Sequence, residues 1–212
     1  METAQRIITK TYELFMRYGI RSVSMDDIAF HLGISKKTIY QYYADKDALV
    51  DSVLDIEFQR NYKECENHKI NKENAVHEIF LSLDEMQELF KHLNPTIIHD
   101  IQKYHPNSFK KLSIHKEEFI YNMIKNNLES GIKEGLYRPE INVDILTKFH
   151  IESIFIAFNT EIFPSSKYQL SFINQEIIEN FLYGIVSIKG VKKIQQYKRQ
   201  RQKPVSYEPK NA

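Results

Sequence analysis

The stretch "SMDDIAFHLGISKKTIYQYYADKDAL" occupies residues 24–49, and its caps and breaks mark three helix starts in close succession. Ser24 is a good N-cap, and Asp26 and Asp27 follow in the first turn, where the helix dipole favours anions. Ile28, Ala29 and Leu32 form an inner face, and Gly33 ends the helix. Ser35 caps a second short helix that begins at Lys36, and a third helix starts near Asp45 and Lys46. A short helix, a glycine-containing turn and another short helix make the helix-turn-helix plan.

On the helix from Lys36, Ile39 and Tyr43 are i and i+4 and share the face that packs inward. Lys37 and Gln41 lie opposite, Thr38 and Tyr40 flank them, and Lys36 and Tyr42 stand at the edges. The outward arc therefore presents ammonium groups, an amide, a hydroxyl and phenols. Lys and Gln can bond purine edges in the major groove, while Tyr, Thr and Lys hold phosphates. Residues 1–50 hold 7 Lys and Arg against 6 Asp and Glu, so sequence-independent DNA affinity should be modest and salt-sensitive.

Upstream, a helix is predicted from about Thr3 to Tyr18, with Ile7, Thr11, Leu14 and Tyr18 on one stripe, Ile8 and Phe15 beside it, and Gly19 as its stop. Downstream, the helix from Lys46 carries Leu49, Val53, Ile56 and Phe58 to about His68. Further helices are predicted at roughly 72–93, 95–104, 106–135, 142–163 and 174–200. No segment alternates cleanly with period two, so the fold class is all-α, with about nine helices. The expected division is 1–47 for the helix-turn-helix unit, 48–190 for a ligand-binding and dimerisation unit, and 191–212 for a basic tail.

The chain of 212 residues is 42% apolar and 27% charged, an ordinary globular composition. Its longest apolar run, "IFIAF" at 154–158, is far short of the ~20 residues that span a bilayer, so no membrane partner is expected. The N-terminus lacks an apolar h-region, and Cys65 is the single cysteine, which together suggest a reducing, cytoplasmic setting. The net charge of +1 hides a split. Residues 189–212 carry eight cations against Glu208 alone, a local charge of +7, which leaves −6 for the rest.

The residues quoted at the start resemble the DNA-binding region of TetR-type transcriptional regulators. The likeness rests on Phe15 and Gly19, Asp27–Ile28–Ala29, Gly33–Ile34–Ser35, Thr38–Ile39–Tyr40, the Tyr42–Tyr43 pair, and then Lys46 and Leu49. It covers about the first 50 residues in detail, and "GIKEGLYRPEINVDIL" (131–146) is similar to the entry into that family's penultimate helix. The resemblance implies an all-helical dimer whose helix at 36–42 enters the major groove of double-stranded DNA. It implies phosphate contacts from Tyr42 and Lys46, and places Ser24 and Met25 near the DNA backbone. Met25 departs from the small or polar residue often found there.

The apolar helices at 142–163 and 174–190 have apolar residues on several faces and need cover on several sides, which a second copy of the chain would supply. Ile185 is taken as a residue of that interface. A small-molecule effector pocket needs a few polar groups inside apolar walls. His99 and Tyr104 on one short helix, and His150 and Ser153 on the 142–163 helix, are its candidate ligand residues. No cofactor is expected. No HxxxH or Cys/His cluster stands in the sequence, so no metal site is expected either. No phosphate-binding glycine loop and no GxSxG turn points to catalysis. The expected function is a ligand-responsive transcriptional regulator, most often a repressor in the resembling family. The alternative is an architectural or accessory DNA-binding protein without a small-molecule switch.

Overall fold

Polar caps set most helix starts in the computed structural model, which describes residues 2–201. The helices are α1 (Thr3–Tyr18), α2 (Met25–Leu32), α3 (Lys36–Tyr40), α4 (Lys46–Asn71), α5 (Ala75–Phe90) and α6 (Ile97–Tyr104). They continue as α7 (Pro106–His115), a π-helical turn (Lys116–Ile120), α8 (Tyr121–Lys133), α9 (Val143–Ile156), α10 (Leu170–Ile185) and α11 (Ile188–Gln200). Ser24 forms a full capping box with Asp27. Asp45, Asn74, Asn142 and Ser187 each accept from the backbone N–H three residues on. Gly33 sits at φ 65°, a left-handed conformation that ends α2 with little strain only because the residue lacks a Cβ. No strand occurs among the described residues.

Two predicted helices are broken. The one expected at 106–135 keeps its direction but takes up the π turn at Lys116–Ile120. The one expected at 174–200 ends at Ile185 and restarts after Ser187. The connector after α8 causes that break: Arg138 donates its N–H to Ile185 O at 2.9 Å, and Ser187 donates to Leu136 O at 2.9 Å. α9 also ends at Ile156, earlier than the expected 163, and the chain turns through residues 157–163.

The head core gathers Ile7, Phe15, Ile28, Ile39, Leu49 and Val53, and it includes Ile97 and Ile101 of α6. A second core joins α5, α8, α9, α10 and α11 through residues such as Phe80, Leu128, Ile151, Leu182 and Ile194. Its centre is polar as well as apolar. Buried Tyr137 donates to Asn127 Oδ1 at 2.9 Å, and Asn127 Nδ2 donates to Ala75 O at 2.9 Å and Glu78 Oε2 at 2.7 Å. Tyr137 lies flat over Gly131, where a Cβ would stand 2.1 Å from its ring.

α4 joins the two cores, and α7 lies along it through spaced polar pairs. Asp47 meets His105, Asp51 meets the Ser108 hydroxyl, Asp55 meets Lys111, and Asn61 meets His115 Nε2 at 3.3 Å. The expected basic tail is partly a packed helix. Ile194 and Tyr197 of α11 are buried, and the Tyr197 hydroxyl donates to Glu73 Oε2 at 2.8 Å. Lys198 pairs with Glu179, and Arg201 with Asp84, so part of the basic charge neutralises the acidic body. The segment from Pro204 onward lies outside the described residues.

Candidate functional site

Two regions stand out, an exposed arc on α3 and a cavity in the body. α3 closes with Gln41 still in right-handed helical conformation, and Tyr43 N bonds to Ile39 O at 3.0 Å, so the turn continues to Tyr43. Ile39 is fully buried against the head core. This fixes which way the helix faces: Lys37, Tyr40, Gln41 and Tyr42 all stand in solvent. Thr38 and Lys36 are half-buried. Thr38 Oγ1 lies 2.8 Å from Ser35 Oγ, and Lys36 reaches Asp26 of α2 at 2.8 Å. The Ser24 hydroxyl serves the α2 cap by accepting from Asp27 N, and the Ser24 hydroxyl and backbone N–H both donate to Asp27 Oδ2, which holds that carboxyl below the usual carboxylate range.

Two expected DNA-contact residues sit otherwise than the sequence implied. Met25 is buried in the head core, so its side chain has no free surface to offer a base. The Lys46 ammonium is half-buried and donates to Ile20 O at 2.6 Å, bracing the loop after α1. Burial pushes its pKa down, and Asp100, Asp27 and Asp47 oppose that shift.

The cavity lies between α4, α5, α6, α7 and the π turn, with a volume of about 260 Å³. Its walls are mainly apolar, from Leu54, Phe58, Met86, Leu89, Ile98 and Phe155 among others. The four expected ligand residues are not among those that line it. His99 and Tyr104 point outward from α6, and Tyr104 instead packs under the Arg21 guanidinium at 5.4 Å. His150 is buried but turns the other way, stacked on Phe181 with ring centroids 3.9 Å apart. Ser153 bonds back to His150 O at 2.8 Å. A polar residue on an apolar helix announces burial without saying which neighbour it meets.

The cavity's polar groups come instead from α4 and α5: Glu57, Arg60, Asn61, Glu64 and His68, with Ser82 and Glu85. Glu57 and Arg60 pair at 2.6 Å. Burial raises the Glu85 pKa against the pull of Arg60, with Glu64 and Glu57 adding to the rise. His115 is pushed down to about 4 by burial, so it is neutral at pH 7. The sequence reading missed this set. Its signal was present, because 57, 60, 64 and 68 recur at helical spacing along one face of α4.

α6 connects the two regions. Ile97, Ile98 and Ile101 line the cavity, while Asp100 Oδ2 accepts from Arg21 N at 2.9 Å, and Asn94 N just upstream donates to Met16 O at 2.6 Å.

A helix-turn-helix head carried on a helical body that holds a cavity is the plan of a DNA-binding regulator. Residues 7–53 match the profile of the bacterial regulatory proteins of the tetR family. The chain is 29% identical over 189 residues to the uncharacterized HTH-type transcriptional regulator YvaF of Bacillus subtilis, covering 86% of this chain and 95% of that one. Its fold matches the ketosteroid transcriptional regulator KstR2 of Mycobacterium tuberculosis with a TM-score of 0.63 at 19% identity, over 88% of this chain and 96% of that one. It also matches the regulator FadR of Bacillus subtilis in complex with stearoyl-CoA, with a TM-score of 0.63 at 17% identity, over 85% and 98% of the two chains. The head, residues 7–53, thus matches the tetR-family DNA-binding region, and most of the chain is similar to HTH-type transcriptional regulators.

Proposed function

We propose that the chain acts as a repressor, binds a near-palindromic operator as a dimer, and is released by a small-molecule effector held in the cavity between α4 and α7. The observation that carries this is the double attachment of α6. One face lines the cavity, and Asp100 on the same two-turn helix is bonded to the loop that follows α1. An occupant that displaces α6 would move the head, and a coupling of only ~1–3 kcal/mol changes affinity 5- to 150-fold. The apolar walls favour an effector with a sizeable apolar body. The stearoyl-CoA complex of FadR and the ketosteroid regulator KstR2 support that class by analogy.

In this reading Lys37 and Gln41 meet base edges, and Tyr40 and Tyr42 meet phosphates. Thr38, Lys36 and Ser24 border the same surface while serving caps and ion pairs. Lys46 is assigned a phosphate contact only after release from Ile20 O. The functional division remains 1–47, 48–190 and 191–212, although the packing itself runs on across residue 47.

Dimerisation through α9 and α10 is supported by an exposed apolar stripe of Ile145, Phe149 and Ile156 on α9. A Cβ built at Gly184 meets nothing within 4 Å, which leaves that spot open to a second backbone. Ile185 is not part of this face. It is 2% exposed inside the second core, so its assignment to the interface is replaced by Phe149.

Selection of random duplexes by the full-length chain tests the reading. The expected result is two inverted half-sites about one helical turn apart, or a multiple of it. Enrichment of a single unrepeated site, or none, would count against it.

A further inference from the structure

Glu64 and His68 stand i and i+4 on α4, and Glu85 comes from α5 to face them. A carboxylate oxygen of each Glu and a ring nitrogen of His68 lie within 4.8 Å of one another. His68 Nε2 is 3.8 Å from Glu85 Oε2, too far for a hydrogen bond.

The other side of the imidazole determines what the first side presents. His68 Nδ1 lies 3.4 Å from Ser82 Oγ, and the Ser82 hydroxyl donates its own proton to Glu78 O at 3.1 Å. The serine oxygen can therefore only accept, which places the imidazole proton on Nδ1 and leaves a bare lone pair on Nε2. That lone pair faces two carboxylates. Lys69 and Lys72 are engaged elsewhere, by Glu66 and Glu78, while Arg60 pairs with Glu57 and also draws on Glu85. Apart from the Asn67 amide, which donates to Glu64 Oε2 at 3.3 Å, the three acceptors share no proton among the described residues, and a cation completes them. An imidazole whose second nitrogen is oriented by an outer hydrogen bond is the usual arrangement around a metal ion.

We propose that Glu64, His68 and Glu85 bind one divalent transition-metal ion of the Zn²⁺ class in the wall of the cavity. One imidazole and two carboxylates suit a borderline ion better than Mg²⁺ or Ca²⁺, which ask for more oxygens. Bonds of ~2.0–2.2 Å put tetrahedral donors roughly 3.3 Å apart, so the three groups close on an ion with side-chain shifts of about an ångström. Three protein donors leave a fourth position, available to water or to a donor atom of a cavity ligand. The ion would fasten α4 to α5. The site stands on its own geometry and holds whether or not the effector reading is right.

The test is calorimetric titration of ZnCl₂ into the chelator-treated full-length chain, with thermal melts alongside. One equivalent should bind per chain and raise the melting temperature, while MgCl₂ and CaCl₂ at equal concentration do neither. His68→Gln and Glu85→Gln should each weaken binding by tenfold or more. Ser82→Ala, which touches no ion, should weaken it ten- to a hundredfold by freeing the ring. No heat and no melting shift with Zn²⁺ on the wild-type chain overturns the site without reference to any variant. So does binding that persists undiminished in folded His68→Gln and Glu85→Gln, because the ion would then sit on other side chains. Duplex affinity measured with and without Zn²⁺ bears only on the regulatory reading, so the two can fail separately.

Discussion

Gln41 is exposed where α3 runs out, and nothing among the described residues holds its amide. Gln41→Ala should cost roughly 1–3 kcal/mol on the preferred duplex and relax the preference at one base pair per half-site. Titration against preferred and scrambled duplexes checks it, and an equal loss on both would move Gln41 to the phosphate class. Lys46 calls for a different expectation, because its ammonium braces Ile20 O. Lys46→Met should lower the stability of the fold by about 1 kcal/mol, visible as a lower urea midpoint without DNA present. An unchanged midpoint would mean that the bond contributes nothing. His150 is held near pKa 4 by burial, against an ordinary value of 6.5. Since the folded value is depressed, the unfolded chain takes up the proton first as pH falls. Stability is full above about 6.5 and declines from there toward about 4. Between pH 7.5 and 5 the loss from this residue should be roughly 2 kcal/mol. His150→Phe, which keeps the stack on Phe181, should lose less over that interval than the wild-type chain in parallel urea melts.

At the scale of elements, the head was legible in the sequence because its determinants are local. Ser24, Gly33, Ser35 and Asp45 each act within four residues, and the structure has helix ends at all four. The body was less legible because its determinants lie far apart in the chain. The break after Ile185 depends on backbone bonds from a connector some fifty residues earlier, and no proline or glycine marks it at 186–187. The cavity's acidic wall was visible as a polar stripe on α4, but its partner Glu85 arrives only through tertiary packing. Gly131 gives the element scale its own test. A methyl group there would strike Tyr137, which is fully buried and bonded to Asn127. Gly131→Ala should therefore destabilise by roughly 2–4 kcal/mol despite the better helix propensity of alanine. A stabilised variant would show that the connector can move aside.

For the whole molecule, the exposed apolar stripe on α9 is where the proposed dimer can be tested. Phe149 is 58% exposed in the single chain, so a carboxylate there is harmless to the monomer and is buried only if two copies meet. Phe149→Glu should give a folded monomer by light scattering with much weaker operator binding, whereas an intact dimer would remove α9 from the interface. The π turn at Lys116–Ile120 has a consequence for the gene as well as for the protein. It holds one residue more than an α turn needs for the same rise, so the helices on either side already keep their faces in phase around a surplus position. Removing one codon there, Glu117 or Glu118, should heal the backbone into continuous α-helix and leave α7 and α8 facing as they do now. The same loss at Asn126 would turn the rest of α8 by about 100° and pull Asn127 from Ala75. This chain should therefore tolerate a one-residue deletion at the cavity wall and reject it two turns later, a contrast that soluble yield and helical circular dichroism of the two shortened proteins would reveal.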